Sequence, residues 1–207
     1  MSDVHEQLEH AEHVEDAAHS NKRIALVIAV LALFLAFSET LGKGAQTAAL
    51  SANIEASDFW AFFQAKTIRQ TVLRTAGEFK AIELATITDA AAKAAMQKQI
   101  DDWKKTIDRY ETDPQSKEGR KELTERARET EHRRDLYFAK YENYELASAA
   151  FQIGIVLASA SVITGMLALV YGAAGLGAIG LVFTGFGLFA PDAVERLQHM
   201  FTAAGGH

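Results

Sequence analysis

LASAAFQIGIVLASASVITGMLALVYGAAGLGAIGLVFTGFGLFA, residues 146–190, contains no Asp, Glu, Lys, Arg or His. A helix crosses a bilayer with about 20 apolar residues. Forty-five uncharged residues therefore fit two spans joined by a tight turn, rather than one soluble core helix. The reading places a second transmembrane helix at 146–171, a turn at Gly172-Ala173-Ala174-Gly175, and a third transmembrane helix at 175–190.

A second apolar block lies upstream. IALVIAVLALFLAF, residues 24–37, follows Asn21, Lys22 and Arg23 and extends through Leu41. Residues 21–41 are read as the first transmembrane helix. An acidic leader before it and the weak cleavage context GKGAQTAA favour a retained anchor over a signal peptide. Between the blocks lies a charged region, 42–145, so the near-zero mean hydropathy of the 207-residue chain averages two different solvents. The expected fold is all-α: an integral membrane protein with three transmembrane helices and a long helical hairpin between the first and second. Only two prolines, both outside the periodic stretches, agree with it.

Within the charged region, residues 45–76 have helical periodicity. Gly42 and Gly44 are expected to loosen the membrane exit, and 45–76 to form a separate oblique helix. Residues 86–145 are expected to form a hairpin with its tip at 112–119, around Asp113-Pro114-Gln115-Ser116. Thr86-Ile87-Thr88-Asp89 offers N-cap chemistry. One coiled-coil seam runs through Met96, Ile100, Trp103, Ile107 and Tyr110 at steps of 4, 3, 4 and 3. A second runs through Leu123, Ala127, Thr130, Tyr137, Tyr141 and Tyr144. The two arms differ so much in length that the outgoing one is expected to bend near Gly77 to Asp89.

No cysteine is present, which excludes disulfides, thiolate nucleophiles and Cys-based metal sites. A net charge of −6 argues against a nucleic-acid partner. GLGAIG, 175–180, has only the spacing of a dinucleotide loop and no strand before it. No phosphate loop, zincin or nucleophile-elbow motif occurs, so no catalytic residue and no cofactor are assigned. The 1–20 tail alternates His5, His10, His13 and His19 with glutamates. His5, His10 and His13 are metal-ligand candidates, but without a closed four-ligand pattern a solvated terminal helix is the favoured reading.

Interface candidates are the aromatic cluster Phe59, Trp60, Phe62 and Phe63, and the small residues Gly177, Gly180, Gly185 and Gly187, which allow close helix approach. Glu39, Gln152 and Thr184 are the candidates for lining a polar path. Residues 191–207 are read as an interfacial tail with Val194, Leu197, Met200 and Phe201 on one side. Lys22 and Arg23 before the first span favour an inside N-terminus, whereas the more numerous basic residues near the membrane ends of 42–145, with Arg196 after the third span, favour a cytoplasmic loop; the count weighs toward the cytoplasmic loop.

The phrases HEQLEHAEH (5–13), NKRIALVIAVLAL (21–33) and ETLGKGAQTAALSANIEASDFWAFFQAKTIRQT (39–71), with the closing small-residue spans, resemble an uncharacterised bacterial family, domain of unknown function 4337. The likeness covers most of the chain, and its specific part is 39–71. It implies a multi-pass bacterial inner-membrane protein with no assigned activity and names no catalytic residues. The expected role is a non-enzymatic homo-oligomeric scaffold whose partners are the bilayer, other copies and a protein meeting the hairpin. The alternative is a small oligomeric channel or transport accessory.

Overall fold

A computed structural model describes the backbone of residues 2–192 and the side chains of 22–192. His5, His10, His13 and the 193–207 part of the tail lie outside the described side chains. Among the described residues the chain is all-helical: α1 (Ser2–Leu84), α2 (Ala90–Glu111), α3 (Arg120–Thr164) and α4 (Leu167–Phe189). α1, α3 and α4 each contain a stretch long and apolar enough to cross a membrane. The chain divides into two compact units, residues 1–48 with 136–207, and residues 49–135.

In the first unit, the apolar parts of α1, α3 and α4 pack through heptad seams. The α3 seam is Tyr144, Ala147, Phe151, Gly154, Ala158 and Ser161, all buried. The α4 seam is Ala173, Gly177, Gly180, Thr184 and Gly187. Steps of 3 and 4 keep each seam facing its neighbours. α3 is antiparallel to both others: Phe34 stacks on Phe151 with centroids 5.9 Å apart, and Asn143 Nδ2 donates to the Pro191 carbonyl at 3.0 Å. Ser38 and Thr184, both buried, hydrogen-bond at 3.0 Å and tie α1 to α4.

Glycine makes this packing close. A Cβ at Gly180 would meet the Phe151 ring at 2.7 Å, and one at Gly187 the Tyr144 ring at 2.6 Å. At Gly177 it would meet Leu31 at 2.7 Å. The two bulky α3 rings thus fill the places where α4 carries no side chain.

Two expectations about the apolar block are corrected. The chain does not turn at 172–175, and the third apolar helix begins at Leu167 rather than Gly175. The break is at Gly165, whose φ of +68° is a left-handed conformation that glycine enters without steric cost. Its N–H bonds back to the Ser161 carbonyl at 2.8 Å and ends α3. Ala173, in the expected turn, is instead fully buried in the seam.

In the second unit, α1 is again the common partner. Residues 45–76 are not a separate helix: α1 continues through Gly42, Gly44 and Gly77 to Leu84. A glycine in a helix costs only about 1 kcal/mol relative to alanine, and two of these positions also serve packing. Gly42 lies against Tyr144 in the first unit (3.5 Å), and Gly77 faces Trp103 in the second (4.0 Å).

The chain reverses at 85–89. Thr86 Oγ1 donates to the Glu83 carbonyl at 2.7 Å, and Asp89 caps α2 by accepting from the Ala92 N–H at 2.8 Å. The 112–119 segment is not a hairpin tip. Gln70 bonds the Ile107 carbonyl of α2, Trp60 bonds Glu131 of α3, and Arg133 of α3 reaches Glu55. Both helices therefore run antiparallel to α1, one after the other. The two predicted seams face α1 rather than each other: Ile100, Leu123, Ala127 and Thr130 are buried, and α1 meets α3 with Ala49, Ala52 and Ala56. The eight-residue loop 112–119 brings the chain back beside Glu111, where Arg120 Nη1 meets its carboxylate at 2.8 Å. Hydrogen bonds from Ser116 hold the Asp113 carboxyl below its ordinary range.

Gly180→Ala and Gly187→Ala force overpacking and should each cost about 1–3 kcal/mol. Gly185, with nothing within 4 Å of a built Cβ, should accept alanine with no loss. Thermal unfolding in detergent, read by circular dichroism, checks this; equal melting temperatures for all three variants would refute the packing account.

Candidate functional site

A groove of about 430 Å³ opens between α1 and α3 in the first unit. Its polar lining comes from Glu39, Lys43 and Gln46 on α1 and from Tyr141, Glu145, Ser148 and Gln152 on α3. Helical spacing dictates this. Glu39, Lys43 and Gln46 are separated by four and three residues, as are Tyr141, Glu145, Ser148 and Gln152 in steps of 4, 3 and 4, so each set shares a face. Gln152 Nε2 lies 3.4 Å from Glu39 Oε1.

Glu145 raises the Tyr141 hydroxyl above the ordinary phenol range, chiefly by its charge, with lost hydration and their hydrogen bond adding. Ser148 is 92% buried, its 8% exposure lying on the groove wall. Two carboxylates and one ammonium give the groove a net negative character suited to a cation or an ammonium group.

The three residues expected to line one polar path are not together. Glu39 and Gln152 are exposed and share the groove. Thr184 is buried, bonded to Ser38 and, through its hydroxyl, to the Gly180 carbonyl at 2.8 Å. Its polarity is spent inside the helix packing. Tyr141, Glu145 and Ser148 were missed as groove residues. Tyr141 and Tyr144 read as seam positions, and the i,i+4 pairing of Tyr141 with Glu145 was the available signal.

The aromatic cluster is used within the second unit. Arg126 lies over Phe59 at 4.2 Å and Arg120 over Phe63 at 4.9 Å. Trp60 Nε1 donates to Glu131 at 2.9 Å and meets Phe63 edge-on. Of the four aromatics Phe62 is the exposed one, with Lys66 at 5.3 Å from its ring. Of the interface glycines, 177, 180 and 187 face partners within the chain, and Gly185 has open space beside it. Among the described residues no three His, Asp or Glu side chains converge as a metal site.

Arg120 concentrates polar contacts. Its Nη1 donates to Gln70 at 2.6 Å and to Glu111 at 2.8 Å, and Gln70 is 5% exposed. Arg120→Ala leaves the Gln70 amide oxygen without its donor and should destabilise by about 1–3 kcal/mol. Arg120→Lys should recover only part, because a point charge lacks the planar face stacked on Phe63. Melting curves of the three proteins check it; an Arg120→Ala protein as stable as the parent would refute it.

Comparison with known proteins agrees with the resemblance seen in the sequence. A family model described as "Domain of unknown function (DUF4337)" matches residues 20–190. Neither a curated protein nor a solved structure matches the chain. The match takes in the apolar helices, the groove and the aromatic cluster alike, and on that extent the chain belongs to the DUF4337 family.

Proposed function

We propose that this is an integral protein of the bacterial inner membrane that crosses it three times and works by association, as a non-catalytic homo-oligomeric scaffold. The observation that carries the reading is the placement of large apolar side chains. Leu26, Leu33, Ile153, Val156, Ile163 and Phe189 are 53–87% exposed, while Ala147, Ala158, Ala173 and the seam glycines are buried. Water would make such a distribution costly at about 25 cal/mol per Å² of exposed apolar surface. Hydrocarbon removes that cost and leaves close backbone approach to hold the helices together.

Three spans place 42–145 and the C-terminus on the same side. Lys43, Arg126, Arg128, Arg133, Arg134 and Lys140 favour the cytoplasm for both. A periplasm-only reporter fused to the C-terminus should stay inactive.

The groove favours a second reading, a channel or transport accessory. Glu39 and Gln152 bring a carboxylate and an amide to the edge of the apolar bundle. Intramembrane carboxylates commonly mark ion paths. Ion flux through purified protein in liposomes, abolished by Glu39→Gln, would establish it over the scaffold.

The scaffold reading requires that the protein stay in the membrane pellet through an alkaline carbonate wash and leave it only with detergent. Recovery in the supernatant of the wash would refute all membrane-based readings together.

A further inference from the structure

α1 has two opposed faces in the second unit. Ala49, Ala52, Ala56, Lys66 and Gln70 are buried. On the opposite side, at 100° per residue, lie Leu50, Ile54, Ile68, Val72, Phe79 and Ile82, each 53–69% exposed. Ser57, Ala61, Ala65 and Thr75 complete that stripe, which carries no charge over 33 residues. It is roughly 48 Å long at 1.5 Å per residue. None of the described residues covers it, and monomers rarely expose apolar patches of more than a few hundred Å².

We propose that this stripe is the dimerisation face, occupied by α1 of a second copy in parallel and in register. The inference rests on the membrane reading. Two copies held in one bilayer by the same first span present α1 in the same direction.

Size agrees: the six large side chains expose on the order of 700 Å², close to the ~800 Å² per partner of a stable interface. Charge agrees as well. One flank of the stripe carries Asp58, Arg69 and Lys80; the other carries Asn53, Gln64, Thr71 and Glu78. In a parallel two-fold pair, each flank faces the other kind. Asp58 and Arg69 then meet neutral amides and hydroxyls, and Lys80 comes opposite Glu78 of the second copy. Ala61 and Ala65, near the middle, let the backbones approach. The two-fold axis predicts contacts of each residue with itself.

The chain has no cysteine, so single cysteines report this directly. Ala61→Cys, Ile68→Cys and Thr75→Cys, oxidised in native membrane vesicles, should form disulfide dimers. Their yield should exceed by about tenfold that of Lys121→Cys, an exposed position on α3, because a disulfide needs Cα atoms within about 7 Å. Ile68→Glu with Val72→Glu should abolish the Ala61→Cys dimer while the protein keeps its helical content and stays in the membrane. Equal yields at all positions, or no dimer at any of the three in membrane-bound protein, would overturn the proposal. So would an Ala61→Cys dimer that survives the double substitution. Release of the parent protein into the carbonate wash would instead strike the membrane reading itself.

Discussion

The backbone hydrogen-bond ladder of α1 is the constraint on which the other helices depend. It runs unbroken from Ser2 to Leu84, and in each unit the remaining helices pack along it. Continuity is cheap here for two reasons. Neither proline lies before residue 114, and alanines and long side chains surround the three interior glycines. The ladder ends where its chemistry changes: Thr86, Ile87 and Thr88 disfavour helix, and Asp89 offers an oxygen to the next helix's free N–H groups. Within the second unit α1 gives α2 and the start of α3 a common reference, which is why they follow one another along it instead of pairing with each other.

Small and large residues are sorted in the first unit in the reverse of a water-soluble bundle. Glycine, alanine and serine fill much of the space between helices, and Leu26, Leu33, Ile153, Ile163 and Phe189 lie outside. Two aromatic rings join Ile24 and Leu31 among the large side chains buried there. Phe151 and Tyr144 point inward because Gly180 and Gly187 leave room for them. In the membrane reading, their dispersion contacts replace the solvent-driven collapse that hydrocarbon cannot supply. The Ser38–Thr184 bond adds direction to this packing, since a hydroxyl pair in an apolar setting tolerates little displacement.

Much of this was legible in the residues. The apolar blocks, the helical class, the seam residues of α2 and α3 and the close-approach glycines follow from composition and period. The partners and turns did not. The α2 seam and the α3 seam each resemble half of a coiled coil, and two halves separated by Asp113-Pro114 invite pairing. Their actual partner, the Ala49–Ala52–Ala56 face of α1, has too little side chain to register as a seam. The 165–166 turn was hidden because glycine in a wholly uncharged block signals either a turn or a close approach. Five glycines between 172 and 185 drew attention from the single one with positive φ. The groove was half visible: Glu39 and Gln152 stood out as polar residues in apolar surroundings, whereas Thr184 shared that signal for a different reason, an internal bond to Ser38.

The same sorting of residues extends along α1 into the second unit, and there its meaning changes. Alanines again face inward and Leu50, Ile54, Ile68, Val72 and Phe79 outward. In the membrane reading, the outward side chains of the first unit meet lipid. Those of the second share their unit with Arg120, Glu111, Arg133 and Glu55, whose ion pairs belong to an aqueous setting. An apolar face in water is unfavourable in proportion to its area, and this one has the area of a stable interface. On the reading proposed above, a single copy is complete where its helices meet hydrocarbon, and the proposed dimer covers α1 where it leaves it. The physical argument for self-association comes from that difference of solvent along one helix.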